Sequence, residues 1–182
     1  IAAAVQTAAS EFGGLDILFN NAGFGGTLAA IEETPLAEYE ISMAILVGGV
    51  VLGMKHAVPH IKKRGGGSII NTASLAACVG GFSPHIYAGA KANVVQLTRS
   101  VALELGEDFI RVNAVCPGAI LTPLMKRNRR QDEIDWMAGA NHIGRIGMPH
   151  DIAAMVAFLS SDDGAFVNGE LINISGGQKS GI

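Results

Sequence analysis

Hydrophobic positions along this chain fall into two patterns that alternate from one end to the other. Leu15-Asp16-Ile17-Leu18-Phe19, Ser68-Ile69-Ile70-Asn71, Ile110 to Val115 and Glu170 to Ile174 are short, nearly continuous apolar runs. Runs of that length predict strands buried on both faces. Longer segments with helical character lie between them. Ile1 to Glu11 is rich in alanine and stops at Gly13-Gly14, and Tyr87 to Leu105 is closed by Gly106. Thr34-Pro35 reads as an N-cap and first turn that open a helix running to about Lys63, before Gly65-Gly66-Gly67 ends it. Pro59 is expected to kink or shorten its last turn. Pro149 starts a helix that continues through Leu159, and the stretch from Cys116 to Met148 carries no regular pattern.

Strands alternating with long helices predict parallel pairing through right-handed crossovers, because helices must cover both faces of such a sheet. The expected fold is therefore doubly wound α/β, with residues 1–182 in a single domain. There is no internal repeat and no low-complexity segment.

Composition narrows the function. A hydrophobic fraction of 49% with 16% charged residues argues for a large apolar core and permits a homo-oligomer. A net charge of -3 provides no positive field for nucleic acid or an anionic membrane, so a small-molecule partner is expected. Cys78 and Cys116 form no metal or disulfide pattern, which points to a reducing, cytoplasmic setting. Ile45 to Met54, the most apolar stretch, is too short to span a bilayer, and the start at Ile1 has no secretion-signal pattern.

The chemistry is concentrated at the ends of the apolar runs. Tyr87 and Lys91 are four residues apart at the start of a helix, so phenol and ammonium share one face. A free phenol titrates near 10, and bringing it to about 7 takes roughly 4 kcal/mol of preferential stabilisation of the phenolate. A neighbouring lysine and a cationic ring are suited to supply it. Ser74 lies just past the Ser68 strand, at the carboxyl edge where open parallel sheets place their ligands. Its hydroxyl can hold a carbonyl oxygen beside the phenol. Asn20-Asn21-Ala22-Gly23 and Pro117-Gly118-Ala119-Ile120-Leu121-Thr122 leave two other strands at the same edge, where small residues let backbone approach a flat ligand.

With these motifs in place the chain resembles the short-chain dehydrogenase/reductase family, of the simple single-domain type, over essentially its whole length. The resemblance implies a Rossmann-like sheet and a hydride transfer between NAD or NADP and a secondary alcohol or ketone. It implies Tyr87 as general acid/base, Lys91 as the group that binds the nicotinamide ribose and lowers the phenol pKa, and Ser74 as the residue that orients the substrate oxygen. The Asn20 to Gly23 element would stabilise the central sheet and border the adenosine half of the cofactor, with Asn20, Ala22 and Gly23 as its cofactor contacts. Pro117, Gly118, Ile120 and Thr122 would hold the nicotinamide carboxamide.

Three departures from the family pattern stand out. No Gly-rich pyrophosphate turn precedes Asn20, so the chain is expected to lack the first βαβαβ portion of the fold, roughly 60 to 70 residues at about 30 per βαβ unit. That would leave the Leu15 strand as an apolar edge and remove the region that selects NAD over NADP. Leu46 stands where the family places an asparagine that helps hold a water beside the lysine. Ser175-Gly176-Gly177 replaces the common Asp-Gly-Gly.

Rival readings follow from the same residues. A non-catalytic nucleotide-binding or scaffold protein of the same fold is the alternative that Leu46 and the missing turn suggest. Transient use of the cofactor, as in an epimerase, would need more substrate domain than the segment after Thr122 offers. His56 and His60 lie four apart, but Pro59 interrupts their turn and no metal site is expected. Lys126, Arg127, Arg129 and Arg130 make a basic run in the segment that the resemblance casts as a substrate flap, and they suit an anionic substrate or a solvated face.

Overall fold

A computed structural model describes residues 1–127 and 129–178. Four strands, β1 (Ile17–Asn20), β2 (Gly67–Thr72), β3 (Ile110–Pro117) and β4 (Leu171–Ile174), form one parallel sheet in the order β1-β2-β3-β4. Helix α1 (Ala2–Glu11) precedes β1. Helices α2 (Leu36–Met43) and α3 (Gly49–Arg64) lead to β2, and α4 (His85–Leu105) leads to β3. Between β3 and β4 lie α5 (Pro123–Arg127), α6 (Gln131–Gly139) and α7 (Pro149–Ser160). The doubly wound architecture anticipated above is present.

Side chains alternate across the sheet with the period of a strand. Ile69, Val112, Ala114 and Cys116 pack against α3 and α4 in the larger core, which also takes in Val94, Ala102, Met54 and Ile61. Their immediate neighbours Ile70 and Val115 face the opposite way, onto Leu159 and Val156 of α7. Both faces of the central strands β2 and β3 are covered, which explains their continuous apolar runs. The outer strands depart from the expectation of burial on both faces, since β1 leaves Ile17 and Phe19 exposed and β4 is only partly buried.

Several local expectations need correction. Thr34 does not cap α2: its hydroxyl donates to the Ala30 carbonyl at 2.8 Å, and Pro35 occupies the cap position. The single helix expected over residues 34–63 is two helices joined by a π-turn at Ala44–Gly48. Pro59 does not shorten the last turn, because α3 runs through it to Arg64, next to the end expected at about Lys63. The joined run Leu36–Arg64 is 29 residues long with a mean hydropathy of 1.8, so by length and composition it could cross a bilayer, contrary to the estimate based on Ile45 to Met54 alone. In this structure it is a layer of the fold, with Gly53 pressed onto Asn20 of β1. The segment after Cys116 is less irregular than its sequence suggests, since it holds α5 and α6. Gly106 lies in the right-handed region, and the left-handed residue that turns the chain into β3 is Phe109, at φ 57°.

Candidate active site

Parallel register brings the carboxyl ends of β1, β2 and β3 to one rim, since Asn20 pairs with Asn71 and Thr72 with Val115. Ser74 follows β2 directly. It is almost wholly buried, adopts extended backbone, and accepts a hydrogen bond from Ala76 N at 3.1 Å, so it caps the short 3-10 turn Leu75–Ala77 as well as facing the rim. Tyr87 and Lys91 lie on the first turns of α4, which packs against that same 3-10 turn.

Lys91 is 4% exposed, and among the described residues its one hydrogen bond runs from Nζ to the Thr72 carbonyl at 2.7 Å. Desolvation pushes its pKa down to about 8. An ammonium has three donors, so two remain for other partners. Nζ stands 5.7 Å from the centre of the Tyr87 ring.

The phenol behaves differently from the sequence-based expectation. Burial raises the Tyr87 pKa above its ordinary value, and the neighbouring Ser74 hydroxyl is what pulls it back. Those two effects, burial against the Ser74 hydroxyl, set the direction, and Lys91 is not among the groups that shift the phenol.

The loop after β1 closes the site from one side. A Cβ on Gly23 would lie 3.5 Å from Leu46 Cδ2 and 3.8 Å from Lys91 Nζ, and one on Gly26 would lie 3.7 Å from Tyr87 Cβ. Gly23 therefore sits at the lysine, and Ala22 is exposed beside it. Asn20 serves the sheet, as the resemblance implied for this element. Its amide donates to Asn71 Oδ1 at 2.9 Å, and Asn71 donates to Thr98 Oγ1 at 3.0 Å, a buried network that ties β1 and β2 to α4. Asn21 accepts from the Thr72 hydroxyl at 3.1 Å.

The loop after β3 is braced on two sides. Gly118 N donates to Ile174 O at 3.0 Å, and Gly147 N donates to Ala119 O at 3.0 Å. Ile120 is buried and bridges to Gly147, while the Thr122 hydroxyl accepts from Met125 N at 3.3 Å and so caps α5. These contacts leave the loop's outer edge as backbone, which suits the amide group of a flat ring. Bare Gly23, two unengaged donors on Lys91 and the braced loop together fit the nicotinamide half of a dinucleotide.

Two residues were missed by sequence reasoning. Thr72 holds Lys91 through its carbonyl, and Gln178 accepts from Ala119 N at 3.1 Å through Oε1. No motif signals either, since the first contact is made by backbone and the second joins segments 59 residues apart. The setting of the other features is plainer. Cys116 is buried and its thiol is pushed up to about 12, largely by desolvation, so it is an unreactive core residue. Arg129 and Arg130 pair with Glu133 and Asp132 of α6, which removes much of the positive field that the basic run promised. A hollow of about 430 Å³ on α6, lined by Arg129, Trp136 and Met137, contains none of the catalytic candidates. Among the described residues no group of His, Cys, Asp and Glu is arranged to hold a metal.

Comparison with known proteins agrees with the geometry. A family model described as enoyl-(acyl carrier protein) reductase matches residues 1–179. A cis-4-hydroxycyclohexanecarboxylate dehydrogenase from Sinomonas cyclohexanicum is 40% identical, over 97% of this chain and 71% of its own length. The structure of a 7α-hydroxysteroid dehydrogenase complexed with NADH and 7-oxo glycochenodeoxycholic acid superposes with a TM-score of 0.92 at 34% identity, covering 99% of this chain and 70% of that one. A short-chain type dehydrogenase/reductase from Mycobacterium ulcerans superposes at 0.90 with 31% identity, covering 97% and 65%.

Proposed function

This chain belongs to the short-chain dehydrogenase/reductase family, and from that membership and the rim geometry we propose that it interconverts a secondary alcohol and a ketone with Tyr87 as the proton-transfer group. The observation that carries the reading is the buried rim at which Ser74, Tyr87 and Lys91 meet, with Lys91 anchored on Thr72. When bound, NAD(H) or NADP(H) supplies or takes the hydride and brings a positive ring to the phenol in the oxidised state.

The chain's own residues do the rest. Ser74 donates its hydroxyl hydrogen to the substrate oxygen and fixes that oxygen at the phenol. Tyr87 receives the alcohol proton in oxidation and returns it in reduction. Lys91, held by Thr72, directs its two remaining donors to the ribose hydroxyls and stabilises the phenolate as it forms. Gly23 leaves room for the ribose beside the ammonium, and Ala22 lines the adenosine side. Pro117, Gly118 and Ile120 through backbone, and Thr122 through its short side chain, would hold the carboxamide.

The substrate we infer is an alcohol borne on a ring. Named relatives act on a hydroxycyclohexanecarboxylate and a hydroxysteroid, and the flap offers Trp136, 72% exposed, and Met137 as apolar surface. A homo-oligomer is part of the proposal, supported by the exposed apolar residues Leu36, Ile41, Ile45 and Leu52 on the helical run before β2.

Tyr87→Phe is the test. It should lower kcat by about 10²- to 10⁴-fold, the range for loss of a general acid/base, while leaving cofactor affinity within about twofold. Unchanged turnover of cyclic alcohols and ketones would remove Tyr87 from the mechanism. Cofactor binding with no nicotinamide absorbance change in the parent enzyme would favour the non-catalytic alternative.

A further inference from the structure

Gln178 lies at a junction of three segments. Its side-chain carbonyl accepts the Ala119 amide at 3.1 Å in the loop after β3. Its backbone forms an isolated antiparallel bridge with Asn141, which follows α6 by two residues. The chain leading to it, from Ile174, accepts Gly118 N at 3.0 Å and, through Gly176 O, Ile143 N at 3.1 Å. Packing at this junction is tight: a Cβ on Gly118 would lie 2.8 Å from Gln178 Oε1 and 2.9 Å from Ser175 Cα. One glutamine thus touches the strand-end loop, the exit of the flap helix and the segment beyond β4.

A loop whose amides must face a ligand needs its other polar groups satisfied from behind, or water competes for them. Ala119 presents both of its backbone groups backwards, its carbonyl to Gly147 N and its amide to Gln178. With Ala119 held from both sides, the peptides on either side of it have little freedom to rotate. We propose that Gln178 is a positioning residue that fixes the Pro117–Thr122 loop in its ligand-ready conformation and ties that loop to the end of α6. The inference rests on the reading of that loop as the nicotinamide contact, and it adds a residue outside every motif that defines the site.

The role belongs to the side-chain carbonyl, so the acceptor can be removed and restored. Gln178→Met keeps length and flexibility but loses it, and Gln178→Glu retains an acceptor oxygen at the same reach. Amide hydrogen exchange of the unliganded enzyme reads the brace directly, without any assumption about function. In Gln178→Met the Ala119 amide should exchange about fivefold faster, the effect of losing one net backbone-to-side-chain hydrogen bond. Affinity for NADH or NADPH, measured by nicotinamide fluorescence, should weaken by about the same factor, with kcat at saturating cofactor changed by less than about twofold and the melting temperature nearly unchanged. Gln178→Glu should restore both.

Each departure overturns something definite. Unchanged Ala119 exchange in Gln178→Met removes the brace. Faster exchange with unaltered affinity, in an enzyme that does bind the nucleotide, removes the positioning role while leaving the proposed reaction intact. Failure of the unsubstituted enzyme to bind either nucleotide sinks the reaction and this inference together.

Discussion

Lys91 Nζ and the centre of the Tyr87 ring are 5.7 Å apart, yet the ammonium does not bring the phenol down. Both groups are desolvated by the same packing, and burial disfavours the charged form of each, raising the phenol and lowering the amine to about 8. At neutral pH the pair is therefore a largely protonated ammonium beside a neutral phenol.

Ser74 is what lowers the Tyr87 pKa in this arrangement. In the proposed alcohol oxidation the phenolate accepts the proton, so the rate should rise as pH increases through the phenol pKa. Ser74→Ala should move that limb to higher pH, as well as lowering kcat by about 10²-fold through lost orientation of the substrate oxygen. A pH profile of kcat/KM for oxidation, which reports the free enzyme, checks this, and a limb that stays in place would exclude Ser74 as the tuning group.

Burial of Lys91 makes stability depend on pH. Its folded pKa, about 8, is below the ordinary 10.5, so between those values the unfolded chain binds more protons and stability rises with pH. Below about pH 8 the penalty is fully present, and it is relieved by pH 10.5. The melting temperature of Lys91→Met, free of this linkage, should fall relative to the parent across that interval, by the equivalent of about 3 kcal/mol at most. Parallel melting curves for the two proteins would contradict the shift.

Leu46 is fully buried in the π-turn, and it and Lys91 flank the same point beside Gly23. An apolar neighbour keeps the ammonium desolvated. Leu46→Asn offers it a polar partner and should raise the Lys91 pKa, moving the stability limb described above toward 10.5. The substitution should cost about 1–3 kcal/mol of stability for placing an amide in an apolar site, and pH-resolved thermal melts measure both effects.

Gly53 of α3 has Asn20 against it, so a side chain there must displace the amide that donates to Asn71 at 2.9 Å. Gly53→Ala should loosen β1 from β2 and destabilise the fold by about 2–4 kcal/mol, combining overpacking with a buried unsatisfied amide. Denaturant titration gives the value. Asn20→Ala in the same background should recover part of the loss, since it removes the colliding group.

Short-range physics made much of this protein legible in one dimension. Four apolar runs specify four strands, of which β2 and β3 are buried, a spacing of four residues sets Tyr87 and Lys91 on one helical face, and Pro149 opens α7, because each depends on residues adjacent in the chain. Other features depend on what folding brings near. Thr34 abandons the cap for Ala30, Asn20 turns to Asn71, and Gln178 meets Ala119 across 59 residues. Tertiary structure alone decided these, along with the direction of the Tyr87 pKa, since hydrogen-bond partners and desolvation are properties of the packed neighbourhood and not of local sequence.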